Sequence, residues 1–215
     1  MTVACREAKS QGTRAQDNRA GWIFDQEVTY RENHDPDTIW LADGQGLQVL
    51  FGQAAWDEVQ NWKPGRKLRL AFSADRGAVI VDPATAEILP VIGGLANRHP
   101  LDLLLQQTLD QANSTFEIID AYAGSTLHWE LEIERLYNRI LETKHLPQEA
   151  QDRIQNGRGA WKEFKTKHLV ASGAIFGLPD GTRWQTNFAE YRHRLIRAHA
   201  IAVLDLIDPL ASAKP

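Results

Sequence analysis

Between Ser114 and Glu142 apolar residues recur at spacings of three and four: Tyr122, Thr126, Trp129, Ile133, Leu136, Tyr137, Ile140 and Leu141. That periodicity is the stripe of an amphipathic helix, which has to bury one face against something else. Ser114-Thr115-Phe116-Glu117 marks its start, where the Ser hydroxyl and the Glu carboxylate satisfy backbone N–H groups reciprocally. No helix breaker follows until Pro147, so the spacing predicts a rod of roughly 30 residues, about 45 Å long. Its partner is expected in the later Ala160-Trp161-Lys162-Glu163-Phe164 segment.

The rest of the chain divides around that rod. Residues 1–20 mix Arg, Lys, Gln, Asn and Gly without period and read as a tail. From residue 21 to 95 the pattern is one of short β-type runs and turns. Trp22-Ile23-Phe24 and Val28-Thr29-Tyr30 read as two brief runs, with a polar turn from Glu32 to Asp37. Thr38–Leu41 and Leu47–Phe51 flank Asp43-Gly44-Gln45-Gly46 as a hairpin. Ala55–Trp62 reads as a short helical turn ended by Pro64-Gly65. Leu68, Leu70 and Phe72 alternate with Lys67, Arg69 and Ala71, predicting one buried and one wet face. Val79–Val81 and Ile88–Val91 are separated by a turn at Asp82-Pro83-Ala84-Thr85. Five to seven strands in about 70 residues predict a small antiparallel barrel or sandwich.

Pro100 suits the first turn of a helix, because its missing N–H has no intrahelical partner to lose. A stripe of Leu101, Leu104, Leu105, Leu109 and Ala112 follows it. A third helix is predicted from Pro147, with Ile154, Trp161, Phe164 and His168 on one side. Gly157 and Gly159 interrupt it, as points of close approach or a kink. Ser172–Gln185 reads as a loop, and a last helix near 186–206 turns Phe188, Tyr191, Leu195, Ala198 and Ala202 inward. The fold class is therefore α+β: a small β domain over 21–95, then an all-α domain over 99–208.

With 215 residues, 43% of them hydrophobic, the chain can bury a substantial core, and a net charge of −4 argues against a generally basic nucleic-acid binder. The charge is unevenly placed. Residues 101–150 carry nine Asp/Glu against three Lys/Arg, and residues 151–199 four against nine. Cys5 is the only cysteine, which excludes an internal disulfide and any multi-cysteine metal site. No apolar run reaches the ~18 residues of a membrane-spanning helix. Thr2-Val3-Ala4-Cys5 resembles the end of a lipoprotein processing site, with Cys5 as lipid carrier; a chance cysteine in a frayed tail is the alternative. The first implies a periplasmic or envelope-anchored protein whose export signal is missing from this sequence, the second a cytoplasmic one.

Motifs for chemistry are scarce. The seven histidines form no HExxH pair, so no metal is expected. No Gly-x-Ser-x-Gly elbow, phosphate loop or dinucleotide fingerprint occurs, and no cofactor is expected. Glu130 and Glu134 share a helix face near His128, and a solvated acidic face explains them better than acid–base catalysis. Arg192, His193, Arg194, Arg197 and His199, with Lys162, Lys165 and Lys167, lack the aromatic interleaving of a stacking platform for bases. They read as a solvated or protein-binding face. Asp180, Arg183 and Trp184, in a Gly/Pro-containing loop, form the candidate partner-binding patch, since exposed loop aromatics anchor protein contacts. Core capping is the competing role for Trp184.

His99-Pro100-Leu101-Asp102, Leu109-Asp110, Ser114-Thr115, Trp129, Leu136-Tyr137, Leu141, Ala160-Trp161 with Phe164, Tyr191-Arg192 and Leu195 occur in the order of the LprI-type lysozyme inhibitor family. Over residues 99–206 the chain resembles that family, a helical unit of bacterial envelope proteins. The family's disulfide cysteines are absent, and Thr108 and Ala121 stand near where the first pair is expected. The resemblance implies a non-enzymatic protein that binds and blocks a lysozyme-like or other wall-active enzyme or toxin. Lysozymes are commonly basic, so the acidic 101–150 region would steer one in. An envelope adaptor without inhibitory activity is the alternative, and an enzyme using the carboxylate and basic faces a third.

Overall fold

The structure, a computed structural model, describes residues 21–33, 38–49, 59–93, 99–143, 146–177 and 181–207. Strands β1 (Phe24–Glu32), β2 (Thr38–Leu41), β3 (Gly46–Val49), β4 (Lys67–Ser73), β5 (Gly77–Val81) and β6 (Ile88–Gly93) close into an antiparallel barrel of order β1-β2-β3-β6-β5-β4. Closure pairs Phe24 of β1 with Phe72 of β4, so neither strand is left with a free edge. Four helices follow: α1 (Pro100–Gln111), α2 (Thr115–Leu141), α3 (Gln148–Phe176) and α4 (Thr182–Leu204). The expected β-then-α order is thus the observed one, with a barrel in place of the sandwich alternative.

Alternation explains the barrel interior. Leu68, Leu70 and Phe72 point inward with Ile39, Leu41, Leu47, Ile80 and Leu89. The opposite face of β4 is not simply wet: Ala71, Val79 and Val81 form a second small buried cluster under Trp22 and Ile88. The runs around Phe24 and Val28 are not separate strands either, and Trp22 and Ile23 stand just before the strand. One strand of nine residues carries Phe24 through Glu32, because β4 pairs with it continuously from Phe24 to Thr29. The hairpin between β2 and β3 turns at Gly44, whose φ of +86° is one that only glycine adopts without strain. The Asp82 turn is organised by the Asp82 carboxylate, which accepts from Ala84 N–H at 3.0 Å, Thr85 Oγ1 at 3.0 Å and Arg66 Nε at 3.1 Å. Of the expected helical turn before Pro64, residues 55–58 lie outside the described residues.

α2 begins as read, with a variation. Ser114 Oγ accepts from Glu117 N–H at 3.2 Å, but the Glu117 carboxylate accepts from the N–H of Asn113, one residue earlier than in a standard capping box. Its buried stripe holds Trp129, Ile133, Leu136, Tyr137 and Ile140. α4 packs against it through His193, Ile196, Ala200 and Val203. The stripe expected inward on α4 is a different one. Phe188, Tyr191 and His199 face α3, while Ala198 and Ala202 are exposed. α4 therefore has two contact faces, and the one toward α2 is the drier.

α3 differs most from expectation. It runs unbroken through Gly157 and Gly159, and a methyl group at either would meet nothing within 4 Å, so no close approach requires them. It extends to Phe176, and α4 starts at Thr182, so most of the expected loop from Ser172 to Gln185 is helix. Trp161 is half-buried on the edge of the core rather than inside it, stacked on His199 at 3.7 Å between ring centres.

One buried cluster runs from the barrel interior into the helices. At the joint His99 is wholly buried, 5.7 Å from Phe72 of β4 and 4.3 Å from Trp129 of α2, centre to centre. It also caps α1, its Nδ1 accepting from Leu101 N–H at 3.1 Å. A second joint is ionic. Glu132, 2% exposed, takes two hydrogen bonds of 2.6 Å from Arg135. The Arg135 guanidinium in turn covers Gly77, the first residue of β5, at φ +73°.

Two outcomes are expected from these joints. Arg135→Ala leaves the buried Glu132 carboxylate uncompensated and should lower stability by about 3–5 kcal/mol, whereas replacing both residues by Met should cost much less. Urea unfolding measures both, and equal losses would refute the ion-pair account. The second concerns pH. Burial holds His99 down to about 3 and His199 down to about 4, and lowers His128 and His193 as well. A base with a depressed folded pKa binds its proton in the unfolded chain first, so stability is complete above about 6.5 and falls as pH drops from there toward 3–4. His99 alone should remove about 2 kcal/mol by pH 5, before most carboxylates titrate. A urea midpoint that stays level between pH 7.5 and 5 would contradict this.

Candidate functional site

The sequence-predicted patch is only partly visible. Asp180 and Cys5 lie outside the described residues. Arg183 and Trp184 occupy the first turn of α4 and not a loop, both exposed, Trp184 at 36%. Trp184, Phe188 and Tyr191 follow at helical spacing on one stripe, starting at the end of the α3–α4 seam where the two helices are joined. That seam is built from rings. Trp161 stacks on His199, Phe164 on His168 at 5.0 Å, and Phe176 lies 5.6 Å from both Phe188 and Tyr191. His168 Nε2 and the Tyr191 hydroxyl share a hydrogen bond across it. His199 Nε2 and Tyr137 Oη, 3.2 Å apart, extend the contact to α2.

The uneven charge resolves into ion pairs between helices. Glu134 binds Arg158 and, at 2.9 Å, Lys162. Glu130 binds Lys165 at 3.2 Å, with Arg192 at 3.6 Å. Arg197 grips Asp102 through two hydrogen bonds of 2.7 and 2.6 Å. Burial acts to raise the Glu134 carboxyl, but the hydrogen bonds from Lys162 and Arg158, together with their charges, outweigh it and hold the group below its usual range. The expected solvated acidic and basic faces are therefore largely one another's partners. Glu130, Glu134, His128 and Arg197 do not converge on a common cleft; of the four, only His128 lines the larger cavity described next.

Two cavities flank α2. One, of about 530 Å³, lies between α2 and the β4–β5 turn, where Arg76, Arg135 and Arg139 alternate with Asp75, Glu134 and Glu142. Mixed charge of this kind favours no ligand class. The other, of about 570 Å³, is a groove between α1 and α2 with Ile23 of the barrel at its edge. Leu104, Leu105 and Ala121 make an apolar floor, and Glu117 and Asp120 stand along it. Among the described residues no Lys or Arg lines it. Thr108 of α1 and Ala121 of α2 both face this groove, although no disulfide joins them. Ser125 is 6% exposed, and its hydroxyl has no hydrogen-bond partner among the described residues; neither has Nδ1 of His128. Burial lowers the His128 pKa, which keeps that ring neutral at pH 7.

Sequence reading missed this groove. Its signal was the Gly124-Ser125 pair, two small residues side by side in a long helix, with Gly124 on the line of Glu117, Ala121 and His128. A methyl at Gly124 would meet nothing within 4 Å, so open space lies over it. Among the described residues, no group of three or more His, Cys, Asp and Glu is placed to hold a metal ion. No family model, curated protein or solved structure matches the chain.

Proposed function

We propose that this chain is a non-enzymatic protein of the bacterial envelope that binds and blocks a lysozyme-like or other wall-active enzyme or toxin, through the outer side of the α3–α4 hairpin. The observation that carries a binding role is the exposure of α3. Of its 29 residues only Ser172 is buried, while Phe164, Val170 and Ile175 are 49, 72 and 68% exposed. A helix that contributes so little to the core, yet turns large apolar side chains to solvent, fits an interaction surface better than a structural strut. Phe164 and Ile175 lie three turns apart on one flank of α3, and Trp184 with Arg183 stands at the end of the same hairpin. Aromatic and Arg anchors of this kind carry most of the energy of protein interfaces.

The identity of the target comes from the family resemblance. Attraction to a basic enzyme has a narrower source than the composition of residues 101–150 implies, because Asp102, Glu130, Glu132 and Glu134 are paired internally. Asp110, Glu117 and Asp120 are the exposed carboxylates toward the N-terminal half of the helical block. Lipid attachment at Cys5 would place the protein at the membrane surface, a part of the reading that mass spectrometry of the N-terminal peptide tests separately.

Mixing a stoichiometric excess of the protein with a panel of muramidases and wall-active toxins should suppress at least one lytic rate, more strongly at low salt. Ile175→Asp with Trp184→Ala should weaken that inhibition about a hundredfold while leaving the circular dichroism spectrum unchanged. Undiminished lysis across the panel would overturn the inhibitor reading. Capture of a non-enzyme partner, lost in the same double variant, would replace it with the adaptor reading.

A further inference from the structure

We infer that the α1–α2 groove is a binding site for an elongated aliphatic amine, with its ammonium group beside Glu117 and Asp120 and a hydrogen-bond donor at its other end beside Ser125 and His128. The groove shares no residue with the α3–α4 surface, so the inference stands whether or not that surface meets an enzyme.

The polar groups of the groove are arranged in sequence along α2. Glu117, Ala121, Gly124 and His128 follow one helix line, with Asp120 and Ser125 on either side of it. From residue 117 to residue 125 the helix rises about 12 Å, so the carboxylates and the Ser–His end are separated by the length of a short chain. Between them the walls are Leu104, Leu105 and Ala121. Its volume of about 570 Å³ lies within the ordinary range for small-molecule sites.

The two ends ask for different groups. At the carboxylate end there is negative charge, and among the described residues no cation lines the cavity and Asp120 has no ion pair. A protonated amine supplies the missing charge. At the other end a buried hydroxyl is without a partner among the described residues, which leaves its desolvation uncompensated when nothing binds it. Ser125 does not bond back to its own helix, although its neighbour Thr126 does so, to the Tyr122 carbonyl at 2.7 Å. Beside it is a neutral imidazole nitrogen, also without a partner. A neutral hydroxyl, which both donates and accepts, serves the Ser125 hydroxyl and the imidazole without bringing a second charge into a desolvated place. An anion is disfavoured beside the two carboxylates.

The test is a titration of the full chain with 6-amino-1-hexanol, followed by the NMR signals of the His128 ring and the Ser125 amide. The amino alcohol should bind about five- to tenfold more tightly than 1,6-hexanediol, which lacks the charge, and 6-hydroxyhexanoate should bind more weakly than either. Hexylamine, which lacks the second donor, should fall between the amino alcohol and the anion. Asp120→Asn, an exposed change with no effect on folding, should weaken the amine about threefold and leave the diol unchanged. Gly124→Leu fills the open space over the helix, favours helix formation, and should abolish binding of every probe. Binding of the anion as tight as that of the amine would overturn the inference. So would undiminished binding to Gly124→Leu, or no signal movement at about 10 mM amino alcohol.

Discussion

His99 is the constraint on which the arrangement depends. Its ring lies between a barrel residue, Phe72, and a helix residue, Trp129, and its Nδ1 closes the first turn of α1. That geometry requires a neutral ring, since Nδ1 must accept a hydrogen bond from Leu101 N–H. Burial supplies the condition, and the nearby charges of Arg135 and Arg197 reinforce it, both opposing a further positive charge. The two arginines are themselves neutralised by Glu132 and Asp102. Arg197 also passes over the Trp129 ring, 5.8 Å from its centre. The barrel–helix joint is thus one linked set, in which the ion pairs and the neutral histidine each limit what the other can do.

From that joint outward the helices become progressively wetter. α2 and α4 bury Trp129, Ile133, Ile196 and Ala200 against each other. α3 is attached instead by salt bridges to Glu130 and Glu134 and by half-exposed rings. Such contacts are individually weak because water and salt compete with them. A helix fixed in this way opens at lower free energy than the core beneath it. The part of the molecule best placed to meet a partner is therefore also the part least committed to the core.

Much of the fold was legible because its signals are local. The α2 stripe, the Ser114 start, Pro100 at a first turn and the Leu68-Leu70-Phe72 alternation each follow from a period or a cap. What escaped was tertiary. Ala71 is small enough to read as a wet position, and only its pairing with Val79 and the cover of Trp22 and Ile88 bury it. His193 and Ala200 do not look like core residues, so the α2-facing side of α4 was passed over for the more aromatic side that faces α3. Gly173 and Gly177 suggested a loop, but one lies inside α3, where a methyl would come within 3.4 Å of Phe188, and the other caps it. The charge asymmetry was visible; its internal use depended on which helices are neighbours.

The groove between α1 and α2 follows from the same distinction. A chain in which every local preference agrees with the fold leaves few polar groups unpaired and few voids against its long helix. Here Gly124 lowers helix propensity by about 1 kcal/mol relative to Ala, and Ser125 buries a hydroxyl that nothing in the described structure satisfies. Neither residue makes up that cost through packing, since the space above Gly124 is open. Both departures occur within two consecutive residues and face the same cavity, beside carboxylates with no lining cation among the described residues. Independent defects would be scattered along 27 helical residues, whereas these coincide where a ligand would repair both.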